Sequence, residues 1–382
     1  MKVNSLKLIN YRNYENISLD FHPEINLFLG ENAQGKTNLL ESLYVLALTK
    51  SHRTSKESEM IRFEAETSKI CGIVEKRNKK LPLEISLTCE GRQTKVNHLT
   101  QRRLADYIGK LTVILFSPED LAIIKGNPGK RRRFLDMEIS QISPIYLYDL
   151  LQYQTILKQR NTYLKKIIDK KNTKKVPDML YYDILSEQLA TFGSKIIHSR
   201  LNFVENLSTW VKSIHNNISN RTEQLSLNYS SSFPLPPKKT VENIQETYLQ
   251  YLKSKQEYEF FKGTCSYGPH RDDLKFFIND IEVATFGSQG QQRTCALSLK
   301  FAEIDLIHEQ TKEYPILLLD DVMSELDNKR QLLLLQAISG KTQTFITTTS
   351  LDHLKKFSMQ GKQFTIVNGE IKNELIYTSR KH

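Results

Sequence analysis

Cysteine is scarce in this sequence, and no two cysteines stand close together. Cys71, Cys89, Cys265 and Cys295 are the only four in 382 residues. Without a CxxC spacing they suit neither a zinc site nor a disulfide framework, so reduced thiols are expected. No apolar run approaches the ~18 residues of a membrane-spanning helix. The opening MKVNSLKLIN lacks the apolar core of a signal peptide. The expectation is a soluble, cytoplasmic chain with no membrane partner. Internal repeats and long low-complexity tracts are also missing, which excludes a repeat array.

Basic residues are in excess: 54 Lys and Arg face 43 Asp and Glu, a net charge of +11. Such a balance favours a polyanionic partner, because each cation set against a phosphate releases condensed counterions. A lysine-rich source proteome would give the same excess, so charge alone does not decide.

Apolar periodicity divides the chain. Val3–Ile9 alternates as a half-buried strand does, Ile25–Leu29 is a short apolar run ending at Gly30, and Lys36–Leu48 has helical spacing. Further strands are expected at Lys69–Glu75, Leu83–Cys89 and Leu111–Leu115. The middle then becomes helical. Leu150, Tyr153, Leu157, Arg160, Leu164 and Ile167 form one narrow seam. After the polar turn DKKNTKKVPD, Leu185, Leu189, Phe192, Ile196, Phe203, Leu207, Trp210 and Ile214 form another. Two long helices joined by a short turn predict an antiparallel arm. Val241–Phe261 reads as helix, and Leu274–Ile278 with Ile281–Ala284 as a hairpin turning at Asn279-Asp280. Gln291–His308 reads as helix, with buried strands at Ile316–Leu319 and Thr344–Thr348. The fold class is α/β: a head (1–130 and 262–382) split by a mainly helical insertion (131–261).

Gly30-Glu31-Asn32-Ala33-Gln34-Gly35-Lys36-Thr37 matches the phosphate-loop pattern G-x-x-x-x-G-K-[ST]. The glycines let backbone N–H groups turn around phosphate oxygens, and the following helix presents its positive end. Lys36 would reach the β- and γ-phosphates of ATP, and the Thr37 hydroxyl would hold Mg²⁺. Ile316–Leu319 delivers Asp320 and Asp321 at its end, a strand expected to pair beside the loop. Asp320 is assigned to the metal and Asp321 to polarising the attacking water. A third segment, Ser288-Gln289-Gly290-Gln291-Gln292-Arg293-Thr294, precedes a helix. Taken alone, plain N-capping is the more ordinary use of Ser288. The segment could equally form a second anion cradle, which a single ATP held by the first loop does not need.

Together these segments resemble the ATP-binding-cassette heads of chromosome-maintenance and repair ATPases, and within them the RecF family of bacterial recombination mediators. The stretches LKLINYRNY, GENAQGKTNLLES, FSPEDL, GNPGKRRRFLD, GPHRDDL, FGSQGQQRT and LLLDDVMSELD carry the resemblance. It implies that the signature of one subunit closes over ATP held by another, so that Ser288, Gly290 and Gln291 act on the partner's nucleotide and Asp327 sits near the seam. It implies an ATP-dependent homodimer on single-stranded, gapped or junction DNA, and phosphate-backbone contacts from the basic residues would make that binding sequence-independent. Assistance to recombinase loading with RecO- and RecR-type partners, replication restart and SOS induction follow from the same resemblance. Weak DNA-stimulated ATP hydrolysis would act as a switch. Asp321, where many relatives carry Glu, reaches less far, so slow hydrolysis is expected.

This chain departs from the cassette pattern at two places. Ser117, Pro118 and Glu119 stand where a Gln is usual, and Thr347, Thr348 and Thr349 where a His is usual. A transporter's nucleotide subunit would carry both, and is disfavoured. A DNA-binding scaffold that binds ATP without significant hydrolysis is the alternative. Basic clusters at Lys76–Lys80, Arg92–Arg103, Lys130–Arg133 and Lys165–Lys175 are the candidate DNA surface, although each alone suits a solvated face. GPHRDD reads as a turn, with His270 or Arg271 touching nucleotide or DNA as the minority reading.

Overall fold

A computed structural model describes residues 1–171, 178–338, 340–350 and 360–378. The chain packs into two compact units, Met1–Asp120 with Leu297–His382, and Leu121–Ala296. The sequence motifs divide it at 130/131 and 261/262, whereas packing groups the signature segment with the inserted unit.

The discontinuous unit holds two sheets. One is antiparallel, in the order Tyr14–Asp20, Lys2–Tyr11, Thr67–Lys76, Lys79–Thr88, Gly91–Val96, Leu99–Thr100. The other runs Glu370–Thr378, Gln360–Val367, Ile25–Leu29, Thr344–Thr348, Ile316–Leu319, Val113–Phe116. Every pairing in it is parallel except the outer hairpin. Parallel strands covered on both faces read as continuous apolar runs, and all four residues of Ile316–Leu319 are buried. Phe21, Phe28, Phe345 and Phe364 pack together on one face of this sheet with ring centroids 4.8–6.3 Å apart. The helix Lys36–Leu48 follows the strand Ile25–Leu29, as the spacing predicts, and is buried nearly all round. One expectation is corrected here. The strand Ile316–Leu319 does not pair with the loop strand Ile25–Leu29, because Thr344–Thr348 lies between them.

In the inserted unit, the helices Pro144–Lys171 and Met179–Ile218 carry the two predicted seams. Residues 172–177 of the turn between them lie outside the described residues. Arg160, on the first seam, is fully buried. It pairs with buried Glu259 at 2.7 Å and donates to the Tyr182 hydroxyl at 2.6 Å and the Cys265 sulfur at 2.9 Å. Val241–Phe261 is two helices, Val241–Ser254 and Gln256–Lys262, broken at Lys255. The hairpin turns at Asn279 and Asp280, both left-handed (φ 48° and 65°), as a two-residue turn requires. Its second strand is only Ile281–Glu282, and Val283–Phe286 forms a helical turn instead. A third strand, Leu225–Ser230, completes this sheet and was not expected within a helical insertion.

One polar residue inside the buried helix Lys36–Leu48 has to be satisfied. Glu41 is fully buried and accepts from Arg12 at 2.7 and 2.8 Å, Tyr11 at 3.1 Å and Ser51 at 2.5 Å. Burial opposes its ionisation, but the bonds from Arg12 and Ser51 prevail and hold its carboxyl below the ordinary range. A depressed folded pKa gives stability that is complete above the unfolded value, about 4.5, and is lost as pH falls toward the folded one. Glu41→Gln should therefore cost about 1–3 kcal/mol at neutral pH. The deficit should shrink in acid, as urea unfolding at pH 7 and at pH 4 would measure.

Candidate functional site

The strand Ile25–Leu29 ends at Gly30, where a Cβ would lie 2.5 Å from the Ile366 carbonyl oxygen. Ala33 (φ 65°) and Gly35 (φ 115°) take positive φ, and the loop closes onto the helix at Lys36. Two turns grip it. From the turn after the first strand, Asn13 Nδ2 donates to the Gln34 carbonyl at 3.3 Å and the Tyr14 hydroxyl to the Gly35 carbonyl at 2.9 Å. From the last hairpin, Gly369 N–H donates to the Gln34 carbonyl at 3.0 Å and Asn368 N–H to Gln34 Oε1 at 2.6 Å. The Lys36 ammonium arches back to the carbonyls of Gly30 (2.7 Å) and Glu31 (2.8 Å). Glu31, Asn32 and Ala33 are exposed at the loop's crest.

Thr37 and Asp320 meet as the sequence predicts: Thr37 Oγ1 donates to Asp320 Oδ1 at 3.0 Å. The strand interposed between them supplies a third group. Thr347 Oγ1 donates to the same carboxylate oxygen at 2.9 Å and accepts the Asp321 N–H at 2.8 Å. Asp321 itself is left-handed (φ 51°), which turns the chain sharply after the strand. Burial raises the pKa of Asp320, the threonine hydroxyls oppose the shift, and the Asp321 charge adds to it. Sequence reasoning missed Asn13, Tyr14, Asn368, Gly369 and Thr347 as parts of this site. The stretch LKLINYRNY held the signal for the first two. In the sequence, Thr347 stands out only as a departure from the cassette pattern.

At the loop entering the insertion, Asp120 accepts from Ser117 N–H at 2.9 Å and lies 3.9 Å from Lys300. FSPED is thus a capped turn at the end of Val113–Phe116, whose Phe116 carbonyl accepts the Asp320 N–H at 2.9 Å.

Ser288, Gly290 and Gln291 lie in the inserted unit, at the start of the helix Gln289–Thr311. Ser288 Oγ accepts from Gln291 N–H at 3.2 Å, and Gln291 Oε1 accepts from Ser288 N–H at 2.9 Å. This reciprocal pair is a capping box. Plain capping does not explain Gly290. A Cβ there would meet only Ser288 Oγ, at 3.9 Å, and glycine in a helix costs roughly 0.5–1 kcal/mol relative to alanine. Ser288 and Gly290 are exposed, beside Phe286 at 72% exposure.

Much of the predicted basic surface has internal work. Arg92 bonds the Thr49 carbonyl and Glu57, Lys95 pairs with Glu84, and Lys76 bonds the Gly109 carbonyl. Arg131 is buried in a two-pronged pair with Asp273, at 2.6 and 2.9 Å. Lys79, Lys80, Arg102 and Arg103 remain exposed. GPHRDD is a turn, closed by Arg271 N–H on the Gly268 carbonyl at 2.8 Å. His270 bonds the Tyr153 hydroxyl at 2.6 Å, and burial pushes its pKa down to about 4. Asp272 accepts from Tyr229 at 2.6 Å and from Ser232 N–H at 2.7 Å.

At Gly35 an added Cβ would fall 2.6 Å from Asn13 Nδ2 in a backbone conformation alanine resists. Gly35→Ala should cost about 1–3 kcal/mol and lower ATP affinity at least tenfold, as thermal unfolding and nucleotide titration would measure.

Residues 2–372 match the family model of the RecF/RecN/SMC N-terminal domain. The DNA replication and repair protein RecF of Enterococcus faecalis is 56% identical over 97% of this chain and 98% of its own. That of Staphylococcus carnosus is 51% identical over 97% and 100%. A solved structure of the recombination mediator protein RecF-ATP in the RecFOR pathway superposes with a TM-score of 0.89, at 36% identity, over 98% of this chain and 97% of that one. The Pyrococcus furiosus Smc head, at 14% identity and a TM-score of 0.54, shares the fold. The chain belongs to the RecF family of DNA replication and repair proteins.

Proposed function

We propose that the chain is an ATP-controlled switch that dimerises around two nucleotides on single-stranded or gapped DNA. In this reading it helps load recombinase with RecO- and RecR-type partners, and so supports replication restart and SOS induction. The observation that carries the reading is the convergence of Lys36, Thr37 and Asp320 at one end of the parallel sheet. Relatives solved as RecF-ATP support ATP as the nucleotide.

Mg²⁺ suits these residues. Thr37 Oγ1 and Asp320 Oδ1 are hard oxygen donors 3.0 Å apart, close to the ~2.9 Å edge of an octahedron with ~2.1 Å bonds. When bound, the ion would offset charge on the phosphate oxygens. Asp320 and Thr37 would hold it, Lys36 would leave the loop carbonyls for phosphate oxygens, and Thr347 keeps both acids in place. Asp321 would orient the attacking water through a short side chain, which suits slow turnover.

Exposed Ser288 and Gly290 support closure by a second chain. A glycine unneeded by its own fold lets another molecule's phosphate approach the helix start. Dimerisation then depends on ATP, because only the triphosphate-bound pair gains contacts that the separate chains lack.

Sedimentation across ATP, ADP and DNA conditions tests the reading. Lys36→Ala should abolish nucleotide binding, and Asp321→Asn should accumulate ATP-bound dimers. Gly290→Ala should leave thermal stability equal or slightly higher while weakening ATP-driven association at least tenfold. An unchanged monomer under every condition contradicts the proposal. Binding to gapped DNA through about six phosphate contacts should weaken by about three decades between 50 and 200 mM salt, a slope that fluorescence anisotropy would give.

A further inference from the structure

We propose that Glu223 is a positioning residue for the signature segment, tying it to the end of the longest helix in the inserted unit. This rests on the two-chain reading above. Glu223 follows the helix Met179–Ile218 in the turn leading to the strand Leu225–Ser230. Both its carboxylate oxygens are used. Oε1 accepts from Gln291 Nε2 at 2.9 Å, and Oε2 lies 3.2 Å from Nε2 of His215, which is fully buried one turn before the helix end.

The link continues outward. Gln291, held at its amide nitrogen by Glu223, uses its side-chain oxygen and backbone N–H to fix Ser288. A capping glutamine bonded only through its oxygen can still swing about its long side chain. A second hydrogen bond, at the other end of the amide, removes that freedom. With Ser288 Oγ accepting from Gln291 N–H, its own proton is directed away from that bond, available to an incoming anion.

Glu223 is also anchored through its chain neighbour. Gln224 N–H donates to Asn279 Oδ1 at 2.9 Å, and Asn279 N–H returns to the Gln224 carbonyl at 3.0 Å. A carboxylate near an anion cradle would repel the anion if it pointed into it. Here one oxygen faces buried His215 and the other a neutral amide. Burial lowers the His215 pKa, so at neutral pH it is an uncharged donor. The series His215, Glu223, Gln291, Ser288 therefore aims the signature hydroxyl from the root of the long helix.

The test uses the full chain with Glu223→Ala and the near-isosteric Glu223→Gln. Hydrogen exchange is followed at residues 286–294 without nucleotide, together with ATP affinity and ATP-driven sedimentation. In Glu223→Ala, exchange at 288–292 should quicken at least tenfold, ATP affinity should stay unchanged, and association should weaken at least tenfold. Glu223→Gln keeps a carbonyl for Gln291, while His215 accepts from the new amide after a tautomer change, and should track the wild type. Unchanged exchange in Glu223→Ala, or a defect equally large in Glu223→Gln, overturns the assignment. Faster exchange spread evenly over the unit points to general loosening and overturns it as well. Faster local exchange with full association overturns the role in the partner's pocket. Failure of the wild-type chain to associate contradicts the two-chain reading itself, while exchange at 288–292 still decides whether Glu223 holds the segment.

Discussion

Asp320 is where the nucleotide half of this protein is pinned together. Its carboxylate oxygen takes hydrogen bonds from Thr37, on the phosphate-loop helix, and from Thr347, on the strand beside the loop strand. Its backbone N–H bonds Phe116, on the strand beyond. Three separate chain segments therefore converge on one buried acid. A buried carboxylate without such partners would be expensive. With them it is held at one position, its charge opposed by burial and by Asp321 and relieved by the two hydroxyls. A cation placed there, as proposed above, would offset that charge.

The inserted unit has its own polar centre, built from two sequence stretches 142 residues apart. GNPGKRRRFLD supplies Arg131 and Asp136, and GPHRDDL supplies Asp273 and the Pro269 carbonyl. Arg131 pairs with Asp273. Arg200 bonds Asp136 at 2.6 Å and the Pro269 carbonyl at 2.7 Å. Gly268, at φ 121°, admits no side chain, since a Cβ would lie 2.0 Å from the Tyr248 hydroxyl. Removing one member of such a buried pair typically costs 3–5 kcal/mol, because the other is left charged and unsatisfied. This explains the GPHRDD stretch as architecture, with His270 held neutral inside it.

How much could be read in advance depended on whether the determinant was local. The phosphate loop, its helix and the strand Ile316–Leu319 were legible because glycine placement and unbroken apolar runs act over a few residues. The helical seams placed Arg160 correctly but could not name Glu259, nearly a hundred positions away. Leu225–Ser230 does carry a local signal, since Leu225, Leu227 and Tyr229 alternate with Ser226, Asn228 and Ser230, but the run is short and flanked by helices. Thr347 was hidden for a different reason. Its role comes from sheet order, which puts the strand Thr344–Thr348 between the loop and the acids, and strand order is not written in periodicity. The basic clusters misled in part, since Arg92, Lys95 and Arg131 answer carboxylates of this same chain.

In the proposed reading, one chain holds ATP half-enclosed and a second chain completes the pocket. Mixing Lys36→Ala protein, which keeps an intact signature, with Ser288→Arg protein, which keeps an intact phosphate loop, tests it most directly. Each alone should be inactive, and the mixture should regain up to one working pocket per pair, read as DNA-stimulated ATP turnover. Two folded variants whose mixture stays as inactive as either alone would contradict the account.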